Sequence, residues 1–341
     1  MTEITLAICM YNAEKYIEET LSCIMAQTMQ DFHLLIVNDC STDGSVECVK
    51  RFFKQNPHQY ELVSLPENKG LCAGRRFVEE HATTKYLLFV DADDWPLPYC
   101  VEKLYKKIIS DDQPLPLLLE KEYQVLSNDE NLIAVSSWSQ FIDAKSKKMR
   151  GGLFIGDTTK AQFLKRAQAA KRVYLPIQTM FDRAAAIRVG GFSLDGYPDG
   201  KPRYRDFCED LELWTRLSDL YAEGKYIIVL PEVLYLYRKS EGLSSSHFNM
   251  IIKMEYVKVN LRRRRKGMKE LTFIDYYNSL SEIERARLQK DSHAADCLRN
   301  GVFYIREKKI IRGLVLLFEC VWNHPSYIID KVIANSGLFK K

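Results

Sequence analysis

Three carboxylates stand within four residues at Asp91-Ala92-Asp93-Asp94, directly after the apolar run from Tyr86 to Val90. Asp91 and Asp93 leave one strand end two residues apart and are therefore expected to share a face and to bind one cation. Like charges this close repel one another, so a cation is expected to offset them. Carboxylate oxygens are hard ligands that suit Mg²⁺ or Mn²⁺, ions that commonly bind one or two carboxylates together with the phosphate oxygens of a nucleotide. The alternative is a structural role, in which the cluster caps a helix that starts near Pro98.

Polar loops also follow three earlier apolar runs. The runs are Ile4 to Met10, His33 to Asn38 and Tyr60 to Leu65, and the loops after them read Tyr11-Asn12, Asn38-Asp39-Cys40-Ser41-Thr42-Asp43-Gly44-Ser45 and Glu67-Asn68-Lys69-Gly70. Turn and capping chemistry explains each loop taken alone about as well as ligand binding does. The repetition at four successive strand ends is what favours a binding site.

Helical periodicity fills the gaps between these runs, over Ala13 to Thr28, Ser45 to Gln55 and Leu71 to His81. Strands that alternate with helices predict right-handed crossovers and a parallel sheet covered on both faces. Such sheets bind ligands beyond the carboxyl ends of their strands. The fold class is therefore α/β, and the polar loops lie where a ligand is expected.

Composition argues against disordered, collagen-like and coiled-coil proteins, and missing motifs argue against dehydrogenases, P-loop proteins and zincin metalloproteases. The 341 residues carry a net charge of +4 and are 46% hydrophobic, which is typical of a globular chain of about two domains. The dinucleotide-binding pattern G-x-G-x-x-G, the P-loop and the zincin motif H-E-x-x-H are all absent. Nine cysteines without a C-x-x-C pair indicate small apolar residues in a reducing compartment rather than a zinc site or disulfides.

Two features bear on location. The amino-terminal segment is acidic where a signal peptide would be basic, and the longest apolar stretch, Gly313 to Trp322, is too short to span a bilayer, so a cytoplasmic protein is expected. Residues 251–341 hold 19 Lys and Arg against 10 Asp and Glu, a net charge of +9. This basic tail, with the run Arg262 to Lys266, predicts peripheral binding to an anionic membrane surface, and nucleic acid is the less favoured partner because no nucleic-acid-binding motif accompanies it.

The four loops together resemble family 2 glycosyltransferases with the GT-A nucleotide-sugar-binding fold. The resemblance is strong over residues 3–105 and extends less closely over 175–247, in the segments LPIQTMFDRAAAIRVGGF, CEDLELWTRL and YLYRKSEGLSSSH. It implies a catalytic domain over residues 1–247, with a nucleotide-sugar-binding half (1–105) and an acceptor-binding half (106–247). A basic, mainly helical extension is expected over residues 248–341.

The resemblance also implies roles for individual residues. Asp39 would bind the nucleobase, Asp91 would lie near the ribose, and Asp93 would hold Mn²⁺ or Mg²⁺ on the diphosphate, with Asp91 and His247 as further metal ligands. The donor site would be completed by Tyr11, Asn12, Asn68, Lys69, Gly70, Arg75 and Ala92. Asn38 and Cys40 replace residues that the family often shows as Asp and Gly, so this loop is a variant.

The Glu209-Asp210 pair stands at the start of an amphipathic helical segment. Acidic residues in a first helical turn also favour the helix dipole, which is the structural alternative. By resemblance, Asp210 is the general base that accepts the proton of the acceptor hydroxyl, with Glu209 as the second candidate.

The expected function is inverting transfer of one sugar from a nucleotide sugar, a UDP-sugar by preference, to a hydroxyl of a glycan or lipid-linked acceptor in cell-surface polysaccharide synthesis. The Gln-x-x-Arg-Trp motif of processive synthases is absent, which favours single additions. Two alternatives stay open: a sugar nucleotidyltransferase and a catalytically silent nucleotide-sugar-binding protein of the same fold.

Overall fold

The computed structural model describes residues 2–110, 131–239, 247–306, 308–325 and 327, except for the side chains of His247 and Arg306. These residues form two compact units. The first comprises Met1–Asp195, Cys208–Ser240 and Val257–Lys269, and the second comprises Gly196–Phe207, Glu241–Tyr256 and Glu270–Lys341. The boundary predicted at residue 247 remains a prediction about domain organisation.

The first unit contains a mixed sheet. Its strands are β1 (Ile4–Met10), β2 (His33–Asn38), β3 (Glu61–Ser64), β4 (Tyr86–Phe89), β5 (Trp95–Pro96), β6 (Leu132–Ile142), β7 (Lys148–Leu153), β8 (Met180–Asp182) and β9 (Tyr226–Arg238). They lie in the order β3-β2-β1-β4-β8-β6-β9-β5, and β7 pairs with β6. Strands β1 to β4 are parallel and β8 runs antiparallel to both β4 and β6, so the sheet turns from parallel to mixed at β8.

Helices connect and cover these strands. They are α1 (Ile17–Met25), α2 (Ser45–Gln55), α3 (Leu71–His81), α4 (Cys100–Ile109), α5 (Lys160–Gln168), α6 (Arg183–Arg188), α7 (Glu209–Leu217), α8 (His247–Arg265), α9 (Phe273–Ser279), α10 (Glu282–Arg306) and α11 (Ile310–Asn323). The α/β class and the helical carboxyl-terminal region are therefore confirmed. Among the described residues, no helix combines the length and apolarity needed to cross a membrane.

The central parallel strands are buried on both faces, which explains their continuous apolar sequences. Consecutive residues of β1, Leu6, Ala7 and Ile8, are fully buried, as are Leu34 and Leu35 of β2. The register pairs Met10 with Asn38 and Asn38 with Ser64, so β1, β2 and β3 end side by side. The polar loops that follow these strands therefore emerge at one edge of the sheet, as predicted.

Helix α1 is shorter than the predicted span of 13–28. The backbone N–H groups of Ala13 and Glu14 donate to the side chains of Ser45 (2.7 Å) and Asp43 (3.1 Å). These bonds tie the chain to the loop after β2, so the helix begins only at Ile17. A loop-to-loop interaction of this kind has no signature in helical periodicity.

The cationic run Arg262 to Lys266 was predicted to face lipid, but several of its side chains form ion pairs and hydrogen bonds within the first unit. Arg264 and Arg265 both pair with Asp219, with N···O distances of 2.5 and 2.7 Å. Arg263 donates to the carbonyl of Lys269 at 2.6 Å. This run therefore offers fewer cations to a membrane than the sequence suggests.

Candidate active site

The loop after β1 forms hydrogen bonds to the loop after β2. Asn12 lies in the left-handed region (φ 51°), and its side-chain oxygen accepts a hydrogen bond from the N–H of Thr42 at 2.8 Å. Its own N–H donates to the hydroxyl of Ser41 at 3.0 Å. Tyr11 beside it is 52% exposed. Asn12 is thus committed to loop structure, whereas the Tyr11 ring is accessible to a ligand.

Asp39 is a buried carboxylate at the end of β2. Its two oxygens accept the N–H groups of Lys69 (2.7 Å) and Gly70 (2.8 Å), and the Asn68 side chain donates to the Asp39 carbonyl (3.1 Å). Gly70 has φ 92°, a conformation that disfavours any side chain, and α3 begins directly after it. Asp39 therefore orders the turn before α3, and a carboxylate held this way keeps lone pairs for a further donor.

Arg75 joins three elements of the site. This α3 side chain is buried; its Nη2 donates to Asp91 Oδ1 at 2.9 Å, and its Nη1 donates to Glu209 Oε1. Glu209 is equally buried, while the Asp91 side chain is 32% exposed. A guanidinium binds two carboxylates well because its N–H groups form a planar fork. Arg75 thus connects the acidic turn after β4 to the start of α7.

The acidic turn differs in geometry from the expectation that Asp91 and Asp93 continue a strand and share one face. β4 ends at Phe89, and the N–H of Asp94 bonds the carbonyl of Asp91 at 3.1 Å, which closes a turn. The two-residue alternation of a strand does not apply there. Whether both carboxylates bind one ion remains a prediction, but its premise in strand geometry is wrong.

Asp94 anchors this turn from inside. It is 1% exposed and accepts hydrogen bonds from Gln178 Nε2 (2.5 Å) and from the N–H of Arg238 (2.8 Å). Burial, followed by the neighbouring carboxylates of Asp91 and Asp93, raises the pKa of Asp94 well above its ordinary value. Three carboxyl groups thus lie within one turn, and carboxylate oxygens are ligands that a hard divalent cation prefers.

Arg238 is a second buried arginine of the site and was not anticipated. It ends β9, stacks on the ring of Tyr16 (4.3 Å), and donates from Nε to the carbonyl of Asp93 (2.9 Å). Its Nη2 reaches Glu19 of α1 at 2.8 Å. The available signal was the position of Arg238 at the end of an apolar strand pattern, where Lys239 follows it. Gln178 lies within the segment 175–192, which resembles the family less closely, and its sequence contained no separate indication of its role.

Asp210 and Glu209 have different surroundings at the start of α7. Glu209 is engaged by Arg75, whereas Asp210 accepts the N–H of Leu211 at 2.7 Å. Burial raises the pKa of Asp210, and the charge of Arg75 partly offsets this rise. Both residues thus lie near Arg75. In the described contacts, the Glu209 carboxylate is bound by this cation, whereas the Asp210 carboxylate is bound by a backbone N–H. Its raised pKa is suited to proton transfer.

His247 and Cys9 are two further groups whose side chains could take part in site chemistry. The side chain of His247 lies outside the described residues, so its predicted metal role stays a prediction. Cys9 lies near Arg75 and Asp91, and burial raises the pKa of its thiol to about 12. A thiol held neutral in this way is not an activated nucleophile, so the chemistry of the site depends on its carboxylates.

The mixed sheet that carries this cluster of carboxylates and arginines at its strand ends has the GT-A fold. Residues 5–110 match the family model described as "Glycosyl transferase family 2".

Relatives and solved structures agree with the family. "Glycosyltransferase GlyA" of Streptococcus pneumoniae is 38% identical over 108 residues, which are 32% of this chain and 15% of that protein. "Teichoic acid poly(glycerol phosphate) polymerase" of Staphylococcus epidermidis is 38% identical over 101 residues, which are 30% and 14% of the two chains. The chain thus spans about a seventh of these two relatives. An uncharacterized glycosyltransferase of Haemophilus influenzae is 27% identical over 252 residues, 72% of this chain and 68% of that one.

Two solved structures share the fold at 16% identity. A mannosyltransferase of Pyrobaculum calidifontis in complex with GDP-Man and Mn²⁺ has a TM-score of 0.51 over 99% of this chain and 81% of its own. Residues 1–349 of TarS from S. aureus, in complex with UDP-GlcNAc, have a TM-score of 0.52 over 92% and 90%. Likeness at this level establishes the GT-A fold.

Proposed function

We propose that the protein is a metal-dependent inverting glycosyltransferase that moves one sugar from a nucleotide sugar to a hydroxyl of a glycan or lipid-linked acceptor. The observation that carries the proposal is the buried Arg75, which binds Asp91 on the donor side and Glu209 beside Asp210 on the acceptor side. Donor and acceptor chemistry are thereby connected through one cation. The family match over residues 5–110 supports this assignment.

The donor is inferred to be a UDP-sugar. Asp39 is oriented by two backbone N–H groups, and a carboxylate so placed can accept the imide N–H of uracil. The exposed ring of Tyr11 is available to pack against the base. TarS, with the same fold, was solved with UDP-GlcNAc, while the mannosyltransferase was solved with GDP-Man, so the base must be tested directly.

Asp93, with Asp91, is the proposed holder of Mn²⁺ or Mg²⁺. The donor set fits such an ion because it consists of carboxylate oxygens, which are hard ligands. When bound, the ion would neutralise the charge that develops on the departing diphosphate. The contribution of the chain is to hold the turn itself, through Gln178 and Arg238.

Asp210 is the proposed general base. The acceptor oxygen forms a bond to the anomeric carbon as the bond from that carbon to the diphosphate breaks, and the hydroxyl proton passes to the Asp210 carboxylate. A single displacement of this kind inverts the anomeric configuration. Glu209 acts as a positioning residue because its carboxylate is bound by Arg75.

Anionic membrane is the proposed location of the acceptor, with α11 as the contact. This helix presents a face of large apolar side chains that are more than half exposed among the described residues. They are Ile310, Ile311, Leu314, Val315, Phe318, Val321 and Trp322. Lys308, Lys309 and Arg312 flank the start of the helix, so cations and an apolar face occur together, as in helices that lie at a lipid interface.

A panel of nucleotide sugars tests the function against its alternatives. With Mn²⁺ present, the protein should release UDP from one UDP-sugar, and Asp93→Asn should abolish the release. A nucleotidyltransferase would instead form a nucleotide sugar and pyrophosphate from a sugar phosphate and UTP. A silent binding protein would bind a nucleotide sugar without turnover on any acceptor, and either result would overturn the proposal.

A further inference from the structure

Helices α10 and α11 of the second unit pack as a close hairpin. Gly301 and Gly313 allow the contact, because a Cβ on Gly313 would lie 2.7 Å from the Gly301 carbonyl oxygen. Among the described residues, a small cluster of Ala294, Cys297 and Cys320 is buried between the helices towards the other end. A core this small contributes little stability by itself, and small cores are commonly supplemented by a metal or a covalent bridge.

Three potential metal ligands meet beside that small core. His293 and Cys297 are one helical turn apart on α10, and Glu319 faces them from α11. The Nε2 of His293 lies 3.6 Å from Glu319 Oε1 and 4.0 Å from Cys297 Sγ. One ligand atom from each residue lies within 4.8 Å of the others. Tetrahedral bonds of about 2.0–2.3 Å place zinc ligands roughly 3.3–3.8 Å apart, so small side-chain movements would complete such a site.

A fourth side chain orients the histidine. The Nδ1 of His293 lies 2.9 Å from Nε2 of His324, just after α11. If Nδ1–H donates to His324, the lone pair of His293 Nε2 is left for a metal. Metal-binding histidines usually have such a partner on their second nitrogen. The His293 side chain is 53% exposed, which provides a route of entry for an ion.

We propose that His293, Cys297 and Glu319 bind a Zn²⁺ ion that joins α10 to α11, with His324 as the positioning residue and water as the fourth ligand. A thiolate with an imidazole and a carboxylate is a ligand set that selects zinc over Mg²⁺ or Mn²⁺. The site therefore differs in chemistry from the carboxylate turn at Asp91 to Asp94. The sequence indicated no zinc site because its pattern contains no C-x-x-C pair, and these ligands come from two helices.

Metal titration of the full-length chain, freed of metal and without nucleotide, tests the proposal. Wild type should bind one Zn²⁺, and Co²⁺ in its place should show a thiolate-to-cobalt charge-transfer band. Cys297→Ser should lose the charge-transfer band, and Glu319→Gln should lose tight Zn²⁺ binding. The control variants Cys23→Ser and Glu282→Gln should keep both the band and tight binding. His324→Ala should weaken binding by about 10–100-fold, as loss of an outer partner does.

Two readouts separate this site from the proposed transferase site and from misfolding. Asp93→Asn should bind Zn²⁺ like wild type, so a failed transferase assignment would leave the result intact. Zn²⁺ should slow amide hydrogen exchange in α10 and α11 of wild type but not of Glu319→Gln, which replaces a partly exposed group with one of equal size. Equal Zn²⁺ affinity in wild type and in both Cys297→Ser and Glu319→Gln would overturn the proposal.

Discussion

At the scale of single residues, Arg75 distinguishes the proposed roles of the first two acidic residues of α7, Glu209 and Asp210. Its guanidinium binds Glu209 in a buried pair, so that carboxylate is not available to take a proton from an acceptor. Asp210 next to it receives a backbone N–H, and its pKa is raised by burial. The choice of Asp210 over Glu209, made from resemblance alone, thus gains a physical reason.

Asp210→Asn should remove the base and keep the fold. We expect transfer to fall by at least the ~10²-fold that a positioned base supplies, with donor affinity unchanged. Initial rates and titration of the donor measure the two effects. Near-normal transfer in Asp210→Asn, together with loss of transfer in Glu209→Gln, would show that the roles are reversed.

The pH profile should report the same carboxyl group. A base acts only when deprotonated, so activity is present above its pKa and is lost as the pH falls through it. Because burial raises the pKa of Asp210, the acid limb of kcat/KM should lie at a higher pH than for an ordinary aspartate. An acid limb at or below the usual aspartate range would contradict the assignment.

The buried pair should also matter for stability. Arg75→Met leaves the Glu209 carboxylate buried without its partner, and loss of one member of a buried pair typically costs about 3–5 kcal/mol. Arg51→Met is the matched control, since Arg51 pairs with Glu18 at the surface and should change little. Urea unfolding midpoints compare the two variants. Equal midpoints would show that the Arg75 pair is not structurally important.

At the scale of elements, the β1, β2, α2 and α3 boundaries follow from local pattern because apolar spacing and turn residues determine them. The conformation of the acidic turn could not be predicted from local pattern because it depends on Gln178 and Arg238, which are distant in the sequence. The start of α1 depends in the same way on the loop after β2. Contacts between distant segments leave no periodic signal. Sequence analysis therefore located the loops and Arg75 but missed Gln178 and Arg238, which hold the acidic turn.

Helix α11 is the element for which we predict binding to anionic membranes. Phe318→Asp places a charge in the apolar face and should reduce co-sedimentation with anionic vesicles several-fold, whereas Ile283→Asp, at an isolated site that is 83% exposed, should not. Added salt should weaken wild-type binding because surface charges are screened. Equal binding of wild type and Phe318→Asp would show that another surface of the chain contacts the lipid, and equal binding to neutral vesicles would exclude the charge effect.

At the scale of the whole molecule, chemistry is divided between two sets of residues. The family match covers residues 5–110, while the proposed base lies at Asp210 and the proposed zinc ligands lie on α10 and α11. Residues 1–250 have a net charge of −5 and residues 251–341 a net charge of +9. An acidic catalytic region with a basic helical extension fits a transferase that acts on an acceptor held at an anionic surface.

Binding of UDP with and without Mn²⁺, measured by isothermal titration on wild type and Asp93→Asn, tests the central claim most directly. Wild type should bind UDP at least about tenfold more tightly with Mn²⁺, a difference of about 1.4 kcal/mol. Asp93→Asn should lose that gain while Asp210→Asn keeps it. Failure of wild type to bind UDP or any other nucleoside diphosphate, or an unchanged Mn²⁺ effect in Asp93→Asn, would contradict the account.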